Sequence, residues 1–213
     1  MDDRYRLDGK VAVVTGCASG VGESVAKLFT ERGSKVLAVD VNADGLESAM
    51  EGVENVATMP QDVTETNAAE KIIDAALENF GQVDILINNA GRVIYAEVHE
   101  LTDEIWNMHF ELNVGAAMRL CRRAIPELKK RPVGRIVNIG SAVTLRSSPG
   151  LAGYTASKHA LEGLTRVLSQ ELVPNITANC IHPGTILSLS LIHISEPTRL
   201  LSISYAVFGL KKK

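Results

Sequence analysis

Short runs of aliphatic and β-branched residues alternate along the chain with longer segments whose apolar positions recur at helical spacing. The short runs show little polar alternation, which is typical of strands buried on both faces. Two of the longer segments stop at Gly33 and Gly81, as helices often do. The pattern predicts six strands, at Val11 to Thr15, Lys35 to Val39, Asn55 to Met59, Val83 to Ile87, Arg135 to Ile139 and Ile176 to Ile181.

Regular alternation of strands and helices predicts βαβ units, because parallel strands need crossover connections and those connections are helices. We therefore expect an α/β fold with a Rossmann-like, doubly wound parallel sheet. No repeat or linker interrupts residues 1–188, so this range is predicted to be a single domain. Two long helices are expected near 103–130 and 154–173.

The composition argues against several classes of function. The 213 residues are 46% hydrophobic and 22% charged, with a formal net charge of -3, which argues against a nucleic-acid footprint. The first residues, MDDRYRLDG, lack the apolar core of a signal peptide, so we expect a cytoplasmic protein without membrane association.

The cysteines and histidines show neither the spacing of a disulfide framework nor that of a zinc site. We interpret all of them as structural and predict no metal. They are Cys17, Cys121, Cys180, His99, His109, His159, His182 and His193.

A glycine-rich loop follows the first predicted strand. Gly16, Gly20 and Gly22 are spaced G-x-x-x-G-x-G and lead into an amphipathic helix. Glycines let a backbone approach a pyrophosphate closely, and a helix N-terminus favours its negative charge. An ordinary glycine turn is the alternative. The position between strand and helix favours a dinucleotide-binding loop.

Asp40 ends the second predicted strand and points to the identity of the dinucleotide. A carboxylate there can accept hydrogen bonds from the adenosine ribose hydroxyls and repels a 2′-phosphate. Residues 17–19 contain no Arg or Lys that would pair with such a phosphate. The sequence therefore favours NAD over NADP, unless Asp40 is only a helix cap or turn residue.

Tyr154 and Lys158 are four residues apart on one predicted helix, and Ser141 follows the fifth predicted strand. A phenol with a pKa near 10 needs a neighbouring cation to act as an acid–base group at neutral pH. Lys158 can be that cation, and the Ser141 hydroxyl can hold a substrate oxygen against the phenol. The alternative is an exposed helix pair.

Further motifs occur in order along the chain: TGCASGVG at 15–22, DV at 62–63, NNAG at 88–91, LNVG with Asn113, YTASK at 154–158 and HPG at 182–184. From residue 7 to about 188 the sequence resembles the short-chain dehydrogenase/reductase family. The resemblance implies hydride transfer between a nicotinamide and a substrate alcohol or carbonyl carbon. It assigns the acid–base role to Tyr154 and substrate orientation to Ser141. Lys158 would lower the tyrosine pKa and bind the nicotinamide ribose, and Asn113 would hold a water in a proton relay.

The same resemblance implies the remaining cofactor contacts. Each has a structural alternative: Asn88 and Asn89 would simply tie neighbouring strands together, and Pro183-Gly184 would be a plain turn. The residues implied for the cofactor are Gly16, Ser19, Gly20, Val21, Gly22, Asp40, Asp62, Val63, Asn89, Ala90, Gly91, Tyr154, Lys158, Pro183, Gly184 and Ile186.

Residues 189–213 differ from the rest. LSLIHISEPTR (189–199) resembles the in-frame translation of a transposase-type sequencing adapter, and ISYAVFGLKKK (203–213) resembles its end followed by adenines. We expect a non-native tail on a domain that is truncated at its C-terminus, and therefore a chain that is poorly soluble or inactive. A membrane anchor needs roughly 20 apolar residues, more than the tail offers, and an interfacial segment is the weaker alternative.

Three functions remain open. The leading one is an NAD-dependent oxidoreductase acting on a secondary alcohol or ketone. A 3-oxoacyl-thioester reductase is the alternative within enzymes, and NADPH preference would indicate it. A dinucleotide-sensing module without catalysis would need none of the Asn113, Ser141, Tyr154 and Lys158 set. By resemblance, the parent protein is expected to be a homodimer or homotetramer.

Overall fold

A computed structural model describes residues 5–184. One six-stranded parallel sheet has the order β3-β2-β1-β4-β5-β6, which confirms the predicted Rossmann-like α/β fold. Strands β1 and β6 match their predictions, and the other four shift by no more than two residues at either end. The strands are β1 (Val11–Thr15), β2 (Lys35–Asp40), β3 (Val56–Pro60), β4 (Ile85–Asn88), β5 (Gly134–Ile139) and β6 (Ile176–Ile181).

Helices connect successive strands and cover the sheet. The helix expected near 103–130 is interrupted by a π-helical turn, whereas the one expected near 154–173 is continuous. The helices are α1 (Gly20–Glu31), α2 (Ala43–Met50), α3 (Ala68–Phe80), α4 (Asp103–Phe110), α5 (Ala116–Leu128) and α6 (Ala152–Glu171), with the π turn at Glu111–Gly115 and a 3₁₀ turn at Ala142–Thr144. No helix among residues 5–184 is long and apolar enough to cross a bilayer.

The period of two along each strand sorts the core into two layers. In β1, Val13 packs in the cluster that holds α3 and α5, whereas Val14 packs in the cluster with Ala26 of α1 and Leu46 of α2. Both layers are closed to solvent, which explains why the strands are apolar on both faces. Because all five strand pairs are parallel, the carboxyl ends of the six strands lie at one edge of the sheet.

The amino-terminal edge of the sheet holds a buried carboxylate. The Asp84 side chain is fully buried and accepts hydrogen bonds from the Val11 N–H (3.0 Å), Gln82 Nε2 (2.6 Å) and Arg131 Nε (3.0 Å). Lys10 Nζ lies 3.7 Å away. This end of the sheet is therefore tied together by a charge whose oxygens are well supplied with donors.

Candidate active site

A cleft of about 470 Å³ opens at the carboxyl edge of the sheet. Ligands of open α/β sheets bind at this edge, where the strand order reverses beside the first strand. Most of the predicted site residues lie in its walls. The lining residues are Gly16, Ser19, Gly20, Val21, Asp40, Asn89, Ala90, Gly91, Arg92, Val93, Ile139, Gly140, Ser141, Tyr154, Lys158, Pro183 and Gly184.

Two glycines of the loop after β1 are required by close packing. Gly16 has φ +76°, and a Cβ there would lie 2.7 Å from Asn89 Nδ2. A Cβ on Gly22 would lie 2.0 Å from the Gly16 carbonyl oxygen. Gly22 therefore lets α1 pack against the loop, although it is not in the cleft wall.

The beginning of α1 suits an anion. Ser19 is its N-cap in extended conformation, but its side chain makes no capping hydrogen bond. The first-turn N–H groups lack intrahelical partners by construction, and Ser19 and Gly20 border the cleft. These groups fit a pyrophosphate at the positive end of the helix.

Asp40 is the last residue of β2 and lies half-buried beside the glycine-rich loop. Its Oδ2 accepts from the Ala18 N–H and its Oδ1 from the Asn42 N–H, both at 2.9 Å. These bonds hold the carboxylate in one orientation at the cleft, and each oxygen retains a further lone pair. Asn42, rather than Asp40, is the N-cap of α2. The position fits a ribose-binding acid.

The NNAG segment ties three strands together, as the structural alternative held. Asn89 Nδ2 donates to the Thr15 carbonyl (2.9 Å), and the N–H groups of Asn89 and Ala90 both donate to Thr15 Oγ1 at 3.1 Å. Asn88 pairs in register with Asn138 of β5 and donates to its Oδ1 at 2.8 Å. These bonds hold β1, β4 and β5 together under the cleft floor.

Ser141 and Tyr154 meet on the opposite wall of the cleft. Ser141 follows β5 and starts the 3₁₀ turn, where its Oγ accepts from the Val143 N–H at 3.3 Å. Tyr154 lies in the first turn of α6, and its phenol shares a side-chain hydrogen bond with Ser141. The hydroxyl pair predicted from sequence is thus formed in the fold.

Lys158 lies one turn further along α6 and is 3% exposed. Its Nζ donates to the Ile139 carbonyl at 2.7 Å and lies 5.7 Å from the centroid of the Tyr154 ring. Burial lowers the pKa of Lys158 to about 8. At neutral pH the amine is therefore still largely protonated, although it holds its proton much less firmly than a surface lysine does.

The pKa of Tyr154 lies above its ordinary value in the chain alone. Burial of the phenol raises the pKa most, the Ser141 hydrogen bond lowers it, and the nearby Tyr95 raises it further. The expected lowering by Lys158 stays a prediction. With these groups alone the phenol is protonated at neutral pH.

The π turn determines where Asn113 points. Asn113 lies in its middle and is 2% exposed. Its Nδ2 donates to Ser157 Oγ (3.0 Å) and its Oδ1 accepts from the Arg92 N–H (3.3 Å). π turns are frequent at functional sites, where they interrupt the regular helix.

A small cavity lies behind Lys158. It measures about 10 Å³ and is lined by Asn88, Asn113 and Lys158 among other residues. Asn88 Oδ1 is buried and has no hydrogen-bond partner among the described residues. The other walls are mostly apolar, and a volume of this size beside polar groups is close to the minimum that holds one water molecule.

Two residues that the resemblance implies for the adenine, Asp62 and Val63, lie away from the cleft. Asp62 Oδ1 accepts from the N–H and the hydroxyl of Thr64 in the turn after β3, and Val63 is buried in the core. Neither lines the cleft, so their contact with an adenine stays a prediction. Ile186 lies outside the described residues.

Two histidines interpreted as merely structural lie at the site. His182 Nδ1 is 3.2 Å from the Ser141 carbonyl oxygen and 3.1 Å from Thr144 Oγ1, beside the 3₁₀ turn. His109 is fully buried and its ring meets that of Tyr154 edge-on, with 6.1 Å between centroids. The spacing of four residues between His109 and Asn113 was the available signal, since it places both on one helical face.

The buried thiols are unreactive. Burial raises the pKa of Cys17 and of Cys121 to about 12, so both remain protonated at neutral pH. No cluster of three or more metal-ligating side chains occurs within residues 5–184.

Comparison with known proteins agrees with the site. The family model of short chain dehydrogenases matches residues 10–197. The chain is 34% identical over 182 residues to the 3-oxoacyl-acyl-carrier-protein reductase FabG of Vibrio cholerae, covering 84% of this chain and 75% of that relative. The enzyme of the same name from Thermotoga maritima is 31% identical over 186 residues, covering 85% and 76%. A solved structure from Burkholderia xenovorans, assigned to the short-chain dehydrogenases/reductases, has a TM-score of 0.85 at 30% identity and covers 91% of this chain and 79% of its own. The chain therefore belongs to the short-chain dehydrogenase family of oxidoreductases.

Proposed function

We propose that this oxidoreductase transfers a hydride between NAD(H) and a secondary alcohol or ketone, with Tyr154 as its acid–base group. The observation that carries the proposal is the convergence of two sets of groups on one cleft. Ser141, Tyr154 and Lys158 form one wall, and the glycine loop with Asp40 forms the other.

The residues present fit a dinucleotide. The uncapped start of α1 would hold the pyrophosphate, and Asp40 would accept hydrogen bonds from the adenosine ribose. Lys158 would reach the nicotinamide ribose. When bound, the nicotinamide supplies or accepts the hydride, and the protein positions it and manages the proton.

In the direction of ketone reduction, Tyr154 donates its phenolic proton to the substrate oxygen. Its raised pKa keeps the phenol protonated at neutral pH, which is the form that donation requires. Ser141 holds the same substrate oxygen by a hydrogen bond. The Lys158 ammonium then stabilises the phenolate that remains, because an adjacent cation favours the charged form.

The phenolate must regain a proton before the next turnover. The cavity behind Lys158 supports a relay through one water, since Asn88 Oδ1 and the lysine both border it. Because the Lys158 side chain is almost fully enclosed by protein, such a route lets the proton pass without opening the fold. Asn113 also lines the cavity and, in this proposal, would hold that water.

A 3-oxoacyl-thioester reductase is the second candidate. Two relatives at 31% and 34% identity carry that name. Its reaction uses the same proton donor, so the cofactor and the substrate distinguish it. A dinucleotide sensor without catalysis is the third, and it would leave the hydrogen-bonded Ser141 and Tyr154 without a role.

The test measures turnover with NADH and NADPH, each with a panel of simple ketones and with an acetoacetyl thioester. It uses the 213-residue chain and, in parallel, the reading frame recovered from source DNA across codon 188 with primers unrelated to the adapters. We expect NADH with a ketone to give the highest kcat/KM. A clear preference for NADPH with the thioester would support the second candidate instead.

Two variants locate the chemistry. Tyr154→Phe should lower kcat by about 10²- to 10⁴-fold while the NADH dissociation constant stays nearly unchanged. Asp40→Asn should weaken NADH binding and narrow the preference for NADH, because it removes the charge that repels a 2′-phosphate. Asp44→Asn, on the exposed start of α2, is the matched control. Full activity of Tyr154→Phe would refute the proposed mechanism.

A further inference from the structure

His109 joins three elements of the site. It lies near the end of α4, its side chain is fully enclosed, and its Nε2 accepts the Ile94 N–H at 3.0 Å. On its other side the ring meets the edge of Tyr154. One side chain thus contacts both the segment after NNAG and the acid–base residue.

The hydrogen bond fixes the form of the ring. Since Nε2 accepts a hydrogen bond, it carries no proton, and the neutral imidazole is protonated at Nδ1. Burial lowers the pKa of His109, which favours this neutral form. The backbone of Ile105, one turn earlier, raises the pKa by a smaller amount, although Nδ1 makes no hydrogen bond of regular geometry among the described residues.

The start of α6 is shaped around this ring. A Cβ on Gly153 would lie 2.9 Å from His109 Nδ1, so the glycine admits the imidazole at this distance. Gly153 directly precedes Tyr154 in the first turn of the helix. The packing of His109 on Gly153 therefore affects the backbone position from which the Tyr154 side chain extends.

The segment anchored at Ile94 supplies Arg92 and Val93 to the lining of the cleft, and we call residues 92–96 the 92–96 wall. Its backbone is anchored at three points: the Arg92 N–H donates to Asn113 Oδ1, the Ile94 N–H to His109, and the Ala96 N–H to the Gly150 carbonyl at 2.9 Å. The middle anchor is the one that also reaches Tyr154. Without the bond between Ile94 and His109, the backbone between Arg92 and Ala96 would lose its middle anchor.

We propose that His109 is a positioning residue, which holds the 92–96 wall through its bond with Ile94 and the Tyr154 phenol through its ring edge. The inference rests on the proposed role of Tyr154. His109 itself touches no substrate and exchanges no proton in the reaction.

Three variants separate the parts of this role. His109→Gln can place its amide oxygen near the position of Nε2 and so keep the acceptor for Ile94. His109→Asn reaches only as far as Nδ1, and His109→Leu fills similar space with no acceptor. His159→Gln, at an exposed position of α6, is the matched control.

Two readouts do not depend on activity. Amide hydrogen exchange at Ile94 reports the bond, and we expect about tenfold faster exchange in His109→Leu and His109→Asn but not in His109→Gln. Tyrosine labelled with ¹³C at Cζ reports the phenol, with Tyr154→Phe to assign its signal. This signal should broaden or shift in His109→Leu and return towards its original position in His109→Gln.

In active preparations, His109→Leu should lower kcat by about 10- to 100-fold with an NADH dissociation constant close to the original, since small displacements of reacting groups are costly. His109→Gln should recover most of the loss. The inference is overturned if Ile94 exchange and the Tyr154 signal are unchanged in His109→Leu, or if His109→Gln is as impaired as His109→Leu. Because both spectroscopic readouts concern the chain alone, they remain decisive even if Tyr154→Phe proves active and the proposed mechanism fails.

Discussion

Two buried charges lie at opposite edges of the same sheet, and they differ in how many hydrogen-bond partners the protein gives them. At the amino-terminal edge, Asp84 receives three hydrogen bonds, one of them from Arg131, and Lys10 lies nearby. At the carboxyl edge, the Lys158 amine has the Ile139 carbonyl as its acceptor. One charge is well supplied with partners and the other retains donors for a ligand.

The difference separates stability from function. A buried charge whose partners are all supplied by the protein resists removal, because its loss leaves those partners unpaired. A buried charge with few partners costs stability, and folds keep such groups mainly at functional sites. Asp84 belongs to the first kind and Lys158 to the second.

The comparison is most strongly tested by Asp84→Ala. We expect a loss of about 3–5 kcal/mol in the free energy of unfolding, because Arg131 and the Val11 N–H lose a buried acceptor. Urea denaturation measures it. Asp74→Ala, which removes the partner of Arg123 at an exposed site, should cost less than about 1 kcal/mol. Equal losses in the free energy of unfolding for the two variants would show that the buried Asp84 contributes no more to stability than an exposed carboxylate.

Lys158→Met tests the other charge through pH. The lysine has a pKa of about 8 in the fold and ~10.4 when unfolded. Between these values the unfolded chain binds more protons, so the wild type gains stability as the pH rises. We expect a gain of up to ~3 kcal/mol relative to Lys158→Met across this window.

Urea denaturation at a series of pH values checks this difference. Lys129→Met, at an exposed position after α5, should show no such pH dependence relative to the wild type. A stability difference between wild type and Lys158→Met that stays constant from pH 7 to 10 would show that the buried amine has an ordinary pKa.

Gly91→Ala is the mildest way to disturb the carboxyl edge. An added Cβ would lie 2.9 Å from Asn113 Oδ1 and 3.4 Å from Lys158 Nζ. We expect kcat to fall by about tenfold while the free energy of unfolding changes by less than about 1 kcal/mol. Kinetics and urea denaturation on the same preparation measure both. If the free energy of unfolding fell by more than the activation free energy of turnover rose, Gly91 would matter more for folding than for catalysis.

Much of this arrangement could be predicted from local sequence patterns. The six strands and their parallel orientation follow from apolar runs and crossover helices. Tyr154 and Lys158 share a helix face because they are four residues apart, and Ser141 follows a predicted strand. The glycine loop and Asp40 were predictable for the same reason. Each of these residues carries its signal within a few positions of itself.

Other features depend on contacts between distant segments. Nothing near His109 predicts its bond with Ile94, since a buried histidine in an apolar helix face is usually only core. The Asn88 and Asn138 pair requires the β4–β5 register, which no short window specifies. The raised pKa of Tyr154 depends on its burial by the whole fold.

The π turn at Glu111–Gly115 has a consequence for how this site tolerates changes in chain length. A wide turn holds one more residue than an α-helical turn, and each residue of an α-helix rotates the next by about 100°. Deleting one codon here would let a regular helix run from α4 into α5, and Asn113 would swing away from Lys158. Such a gene would encode a better helix and a poorer enzyme, so the count of residues in this segment matters as much as their identity.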